Sequence, residues 1–223
     1  MVELKPTGQM LSLTGLAVVV VAAGGASLDV SAFRVLNRAI ANPVFDTVMP
    51  VVTNSTVLRV LAAAILLALL VRGGTKGRLA ALVLIPLVAA SDQLTSGVLK
   101  PLVGRTRPCE VLGNVHLWYH GHWVWTPREV AGGFKTSFGF PSSHAANATA
   151  SAVLLSLLWR KWVPWVCLGF AGLVSLSRIY IGVHWPSDVL AGIAIGAGLA
   201  WLAHLALKRL VAWREARIPS HHP

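Results

Sequence analysis

The chain has 223 residues, of which 55% are hydrophobic and 12% charged, and its mean hydropathy is +0.68, which excludes an ordinary soluble domain and indicates a membrane protein. The formal net charge of +11 does not indicate nucleic acid. The cations are sparse, flank long apolar runs in a positive-inside pattern, and come with no nucleic-acid recognition motif.

Residues 11–26 are apolar and read as a first span. Small residues near Ala22 to Ser27 also suit a signal-peptide cleavage site, but little positive charge precedes the run, which favours a retained helix. Between Asp29 and Thr56, Asn37, Asn42, Pro43, Asp46, Pro50 and Asn54 break the apolar spacing, which predicts a loop with one short interfacial helix. The second predicted span is 57–71, followed by a turn with Arg72, Lys76 and Arg78 that marks the cytoplasmic side. The third, 79–99, is expected to bend at Pro86, turns polar at Ser91, Asp92, Gln93, Thr95 and Ser96, and closes at Lys100. An ionisable residue at that depth faces a partner or a wet cavity, so Asp92 either lines a site or pairs with a neighbouring helix.

The longest polar stretch lies between Lys100 and Phe140. It carries Arg105, Arg107, Arg128 and Lys135, with an aromatic run from His116 to Trp125. Tryptophan and tyrosine at that density suit a membrane interface, as an anchor or as a lid over a site. His116, His120 and His122 have no helical frame or carboxylate around them, so no metal is expected there. Cys109 and Cys167 are expected to be free.

The fourth predicted span, 142–159, opens on Pro141-Ser-Ser-His144. A serine there caps the helix, and the free N–H groups of the first turn suit an anion. The fifth, 162–177, delivers Ser177 and Arg178, and the sixth, 188–207, starts just past Pro186. Within the sixth, the Gly192-x-x-x-Gly196 spacing permits close packing inside the bundle or in a dimer. Basic residues after the second, fourth and sixth spans put both termini in the cytoplasm and all three polar segments on the outer face. With no linker or repeat, residues 1–223 read as one all-α, integral-membrane, six-helix domain.

The stretch Ser177-Arg-Ile-Tyr-Ile-Gly-Val-His-Trp-Pro-Ser-Asp188 combines a guanidinium fork suited to phosphate oxygens, a histidine able to act as base or nucleophile, and a carboxylate to orient it. As spacings, the polar segments are K-x6-R-P from Lys100, P-S-S-H ending at His144, and S-R-x5-H-x3-D ending at Asp188. This pattern resembles the three-part signature of the type 2 phosphatidic acid phosphatase (PAP2) family, which shares its site with vanadium haloperoxidases and bacterial acid phosphatases. The resemblance implies His184 as nucleophile forming a phosphohistidine, Asp188 holding its tautomer, and His144 as general acid and then base. It implies Lys100, Arg107 and Arg178 around the phosphoryl oxygens, with Ser142 and Ser143 completing the cradle and neither metal nor cofactor required.

The family's usual second motif is P-S-G-H, so Ser143 stands where glycine is expected, and Ser143→Gly is expected to keep turnover. The function implied is hydrolysis of a lipid phosphate or diphosphate at the outer face of the cell inner membrane. Polyprenyl diphosphate, phosphatidylglycerol phosphate, phosphatidate and lipid A phosphate all offer a terminal phosphoryl group. Transfer of the same phosphoryl group to a second lipid is the alternative, and a lipid transporter a remote one, since no inverted repeat is visible and the charges cluster at one end.

Overall fold

The computed structural model describes residues 27–129, 133–135 and 137–217. The first predicted span, 11–26, therefore lies outside the described residues. Helix α1 covers 27–34 and continues as a π-helical turn, Val35–Ala39. Then follow α2 (Pro43–Val52), α3 (Ser55–Arg72), α4 (Gly74–Asp92), the one-turn α5 (Pro108–Val111), strands β1 (His116–Tyr119) and β2 (His122–Trp125), α6 (Ser143–Leu158), α7 (Val163–Tyr180) and α8 (Pro186–Arg217). Among the described residues four helical stretches are long and apolar enough to cross a bilayer: Ser55–Arg72, Gly74–Val111, Val163–Tyr180 and Pro186–Arg214.

Helix α6, at the place of the fourth predicted span, is shorter than these. Its 16 residues span only about 24 Å, and they are rich in alanine and polar side chains. It packs against α8, α7 and α4 and is the inner helix of the bundle, with Ala145, Ala146 and Ala150 fully buried. Small side chains let three neighbours approach its backbone at once. The approach is closest along α8, where a Cβ on Gly192 would lie 2.4 Å from the Ser142 carbonyl oxygen and one on Gly196 2.2 Å from that of Ala146. The Gly-x-x-x-Gly spacing thus serves packing within the bundle.

Where a loop with one short helix was expected before the second span, the chain forms two helices. Three of the residues read as breakers, Asn42, Pro43 and Asn54, mark helix starts. Asn42 caps α2, accepting the N–H groups of Val44 and Phe45 ahead of Pro43, and Asn54 caps α3 through Thr56 and Val57. Asn37 is buried and ties α1 to the hairpin and to the end of α7. Its amide nitrogen donates to the carbonyls of His116 and Tyr180, and its oxygen accepts from the His116 N–H.

The aromatic run is a departure from the all-α expectation. It forms an antiparallel hairpin pairing His116 with Trp125 and Tyr119 with His122. The turn residues His120 and Gly121 both have positive φ, 47° and 89°, the geometry of a two-residue hairpin turn. The hairpin is fastened rather than free to swing as a lid. His116 stacks on Trp123 with centroids 4.1 Å apart, the Trp123 indole donates to the Asp46 carbonyl, and the Trp118 N–H donates to Ile181. The polar end of α4 also departs from a plain α-helix: Gln93–Leu99 is π-helical before one more turn, Lys100–Val103, ends at Gly104 in the left-handed region. Cys109 and Cys167 are both free, as expected.

A methyl group at Gly196 forces α8 off α6, whereas one at Gly198 would meet nothing within 4 Å. Gly196→Ala is expected to destabilise the protein in detergent by about 1–3 kcal/mol, the usual range for overpacking. Gly198→Ala is expected to leave the melting temperature within a degree or so of the parent; thermal unfolding of the two purified variants side by side checks this.

Candidate active site

The loop between α7 and α8 presents His184, which is 2% exposed, and the first turn of α8 supplies Asp188, fully buried. Local capping builds the pair. Asp188 sits three residues after Trp185, and its Oδ2 accepts the Trp185 N–H at 3.0 Å, the back-bond of a capping box ahead of Pro186. The same Oδ2 lies 3.4 Å from His184 Nδ1. On the other side of the ring, Nε2 lies 3.3 Å from Arg107 Nη1. A guanidinium only donates, so Nε2 carries the lone pair and Nδ1 the proton. Burial, and after it the charges of Arg178, Arg107 and Lys100, push the His184 pKa well below its ordinary value, so the ring is neutral at pH 7.

Three cations surround the histidines. Lys100 Nζ donates to Ser143 Oγ at 2.9 Å. Arg178, at the end of α7, donates through Nη1 to Thr53 Oγ1, and among the described residues its buried Nε has no partner. Arg107 is more fully engaged: Nε and Nη2 hold the Ser137 carbonyl, the Ser137 hydroxyl and the Phe138 carbonyl, and Nη1 holds the Val183 carbonyl. Its remaining N–H, on Nη1, faces His184 Nε2. His144, in the first turn of α6, lies within the fields of all three cations and has Nε2 3.4 Å from Ser55 Oγ.

The predicted serines divide their work. The Ser142 N–H donates to the Asp188 carbonyl at 2.9 Å, and its hydroxyl caps α6 by accepting from the Ala145 N–H. Ser142 therefore locks α6 to α8. Ser143 Oγ joins Lys100 to Ser96, at 2.9 and 2.8 Å. All eight predicted residues, Lys100, Arg107, Ser142, Ser143, His144, Arg178, His184 and Asp188, thus meet at one end of the bundle.

Four further residues escaped the sequence reading. Arg105 Nη1 donates to Asp188 Oδ1 at 2.7 Å, and its Nη2 pairs with Asp29 Oδ2 at 2.5 Å. Asp29 in turn accepts from the N–H and hydroxyl of Ser187. Ser137 and Thr53 hold the two other arginines, as above. The only signal for Arg105 was its place two residues before Arg107; Asp29, Thr53 and Ser137 are distant in sequence and left none. Among the described residues no three His, Cys, Asp or Glu side chains cluster as metal ligands, and His116 instead packs against the hairpin tryptophans near Asp46.

The description "PAP2 superfamily" belongs to the family model that matches residues 80–212, well over half the chain. The chain belongs to the PAP2 superfamily. This PAP2 protein is 33% identical over 184 residues to the lipid A 4'-phosphatase of Bacteroides thetaiotaomicron, an alignment covering 82% of this chain and 78% of that one. It is 46% identical over 70 residues to the undecaprenyl-diphosphatase of Sulfolobus acidocaldarius, covering 30% of this chain and 33% of that one. The crystal structure of a transmembrane PAP2 type phosphatidylglycerolphosphate phosphatase from Bacillus subtilis shares the fold, with a TM-score of 0.61 at 24% identity over 95% of this chain and 98% of that one. The PAP2 protein is thus an integral membrane protein of the phosphatase fold.

Removing Arg105 leaves Asp188 buried with one cation fewer and free to turn away from His184. Arg105→Ala is expected to lower kcat about 10–100-fold, the usual range for a group that orients an active-site ligand, with KM little changed. Steady-state phosphate release checks this, and Arg105→Lys, which keeps the charge, is expected to recover part of the loss.

Proposed function

We propose that this PAP2 protein, a phosphatase of membrane lipid phosphates, works through a phosphohistidine on His184 at the outer face of the cell inner membrane, with both termini cytoplasmic. One observation carries the mechanism: the lone pair of His184 Nε2 faces a ring of fixed cations while its Nδ1 points at Asp188. In the first step Nε2 attacks phosphorus, the bond to the lipid oxygen breaks, and His144, protonated once the negative charge of the bound phosphate offsets the three cations around it, gives that oxygen its proton. As positive charge grows on the imidazole, Asp188 stabilises it, itself held by Arg105.

The phosphoryl oxygens take the unpartnered Arg178 Nε, the Lys100 ammonium and the Arg107 Nη1 edge released when Nε2 becomes bonded to phosphorus. Ser143 positions Lys100, and Ser142 holds the first turn of α6 in place. In the second step water attacks phosphorus, His144 takes its proton, the N–P bond breaks, and inorganic phosphate leaves. Positively charged side chains supply the charge stabilisation that a metal ion would otherwise provide.

The lipid A 4'-phosphatase relative, aligned over most of both chains, supports a lipid monophosphate as substrate class. The polyprenyl diphosphate reading has the support of a shorter alignment.

Phosphate release from detergent-solubilised lipid monophosphates is expected to survive excess EDTA and to vanish in His184→Ala. Loss with EDTA in both proteins alike would overturn the mechanism. Quenching the parent enzyme in alkali is expected to trap phosphate on protein, since a phosphoramidate resists base and yields to acid. Arg178→Ala is expected to lower kcat/KM about 100–1000-fold, as for loss of one charge-stabilising donor. Because free His184 must be neutral to attack and its pKa is lowered, the acid limb of kcat/KM assigned to it is expected below the ordinary histidine value of about 6.5. A profile that loses activity already above that pH in step with His184 titration would contradict the assignment.

A further inference from the structure

One polar cluster beside the cradle has no part in the phosphoryl chemistry. Asp92 Oδ1 accepts from Asn147 Nδ2 at 3.3 Å and from Ser96 Oγ at 3.5 Å, and Ser96 continues to Ser143 and hence to Lys100. A line of polar groups therefore runs out of the phosphate cradle along the groove between the π-helical end of α4 and the first turns of α6. It is open: Asp92 and Ser96 are exposed. It also lies where a lipid headgroup lies. Helix α4 has 19 residues from Gly74 to Asp92, about 27 Å along its axis, so Asp92 sits near the far edge of a hydrocarbon layer about 30 Å thick.

The chemistry of the groove is one-sided. The Asp92 carboxylate takes the Asn147 amide nitrogen, and among the described residues the Asn147 oxygen, at the other end of the amide, is buried with no hydrogen-bond partner. A buried acceptor left unmade is costly in a resting protein, and it marks a place that a donor can fill. Asn147 is one helical turn from Ser143 and three residues from His144, so its side chain neighbours theirs on the surface of α6. The seven-residue π segment, a geometry concentrated at functional sites, is what aims Ser96 at Ser143.

We infer that Asp92, Asn147 and Ser96 form a subsite for the leaving alcohol, and that it selects lipid monophosphates whose alcohol carries free hydroxyls, such as a sugar, over diphosphates. Hydroxyl donors next to the scissile oxygen satisfy the Asn147 oxygen and the Asp92 carboxylate. A second phosphate in the same place brings only acceptors and like charge against Asp92, which is unfavourable on both counts. The inference rests on the phosphatase reading above and deepens it by naming which half of the substrate is read.

The test compares kcat/KM of the full-length protein for three probes in the same detergent: monophosphoryl lipid A, a phosphatidate with no free hydroxyl beside its phosphate, and undecaprenyl diphosphate. Parent enzyme, Asn147→Ala, Asp92→Ala, the milder Asp92→Asn and His184→Ala are measured together. The parent is expected to favour monophosphoryl lipid A at least tenfold over either other probe. Asn147→Ala and the Asp92 variants are expected to cut its ratio to phosphatidate about tenfold, the size of one lost polar contact of about 1.4 kcal/mol. Loss of the Asp92 charge is expected to raise undecaprenyl diphosphate relative to phosphatidate.

Ratios within one preparation do not depend on the fraction of folded enzyme, so a variant that folds poorly still reports. Ratios that stay fixed while turnover depends on His184 overturn the subsite and leave the phosphatase reading standing. Phosphate release equal in the parent and in His184→Ala with all three probes overturns that reading, and the subsite with it.

Discussion

The contact on which the site depends is the approach of α8 to α6. Backbones meet there because two glycines offer no side chain: Gly192 lies under the Ser142 carbonyl and Gly196 under that of Ala146. At the same crossing the Ser142 N–H is taken by the Asp188 carbonyl. The start of one helix carries His144 and the start of the other carries Asp188, with His184 just ahead of it, so the distance between the proposed proton donor and the proposed nucleophile is set by main-chain contact. Side-chain rotamers have little to adjust. That suits chemistry in which a few tenths of an ångström decide whether a group is in reach.

Around that crossing the polar groups are arranged in two tiers. An inner tier of Lys100, Arg107, Arg178 and the two histidines faces the space where phosphate would sit. An outer tier of Thr53, Arg105, Asp29 and Ser137 holds the inner one by carbonyls, hydroxyls and carboxylates. Concentrating positive charge in a buried place disfavours each cation singly, and the outer tier offsets this with hydrogen bonds that also fix direction. Arg107 shows the consequence: four of its N–H groups are held by carbonyls and a hydroxyl, which aims the fifth at His184 Nε2.

The inner tier was legible in the sequence because each of its members lies in a short local pattern whose chemistry is explicit. Asp188 is the third residue past the cap of α8, and Ser142 is the cap of α6; such positions are read from neighbours in the chain. The outer tier was not legible. Asp29 and Thr53 reach the site from segments more than a hundred residues away from Asp188 and Arg178, and nothing local marks either. The stretch before α3 was misread for a different reason. Asparagine and proline interrupt an apolar pattern equally well as loop residues and as helix starts, and here Asn42 and Asn54 are caps. The hairpin had a visible signal in His120-Gly121 between aromatic, β-prone residues, but tryptophan at that density is equally the mark of a bilayer interface. The π-helical end of α4 leaves no pattern in its residues that distinguishes it from an α-helix.

The Arg105 bridge has a consequence for the order of assembly. It joins Asp188 at the start of the last helix to Asp29 at the start of α1, the first described element, across almost the whole chain. A chain inserted helix by helix meets the carboxylate that steadies Arg105 first and the carboxylate that Arg105 steadies last. Until α1 has docked against α7, Arg105 has only half its anchorage and the His184 imidazole only a loosely held carboxylate. On the proposed mechanism, nucleophilic power is thereby conferred on completion, and a half-assembled chain would present its cations to lipid headgroups without the means to cleave them.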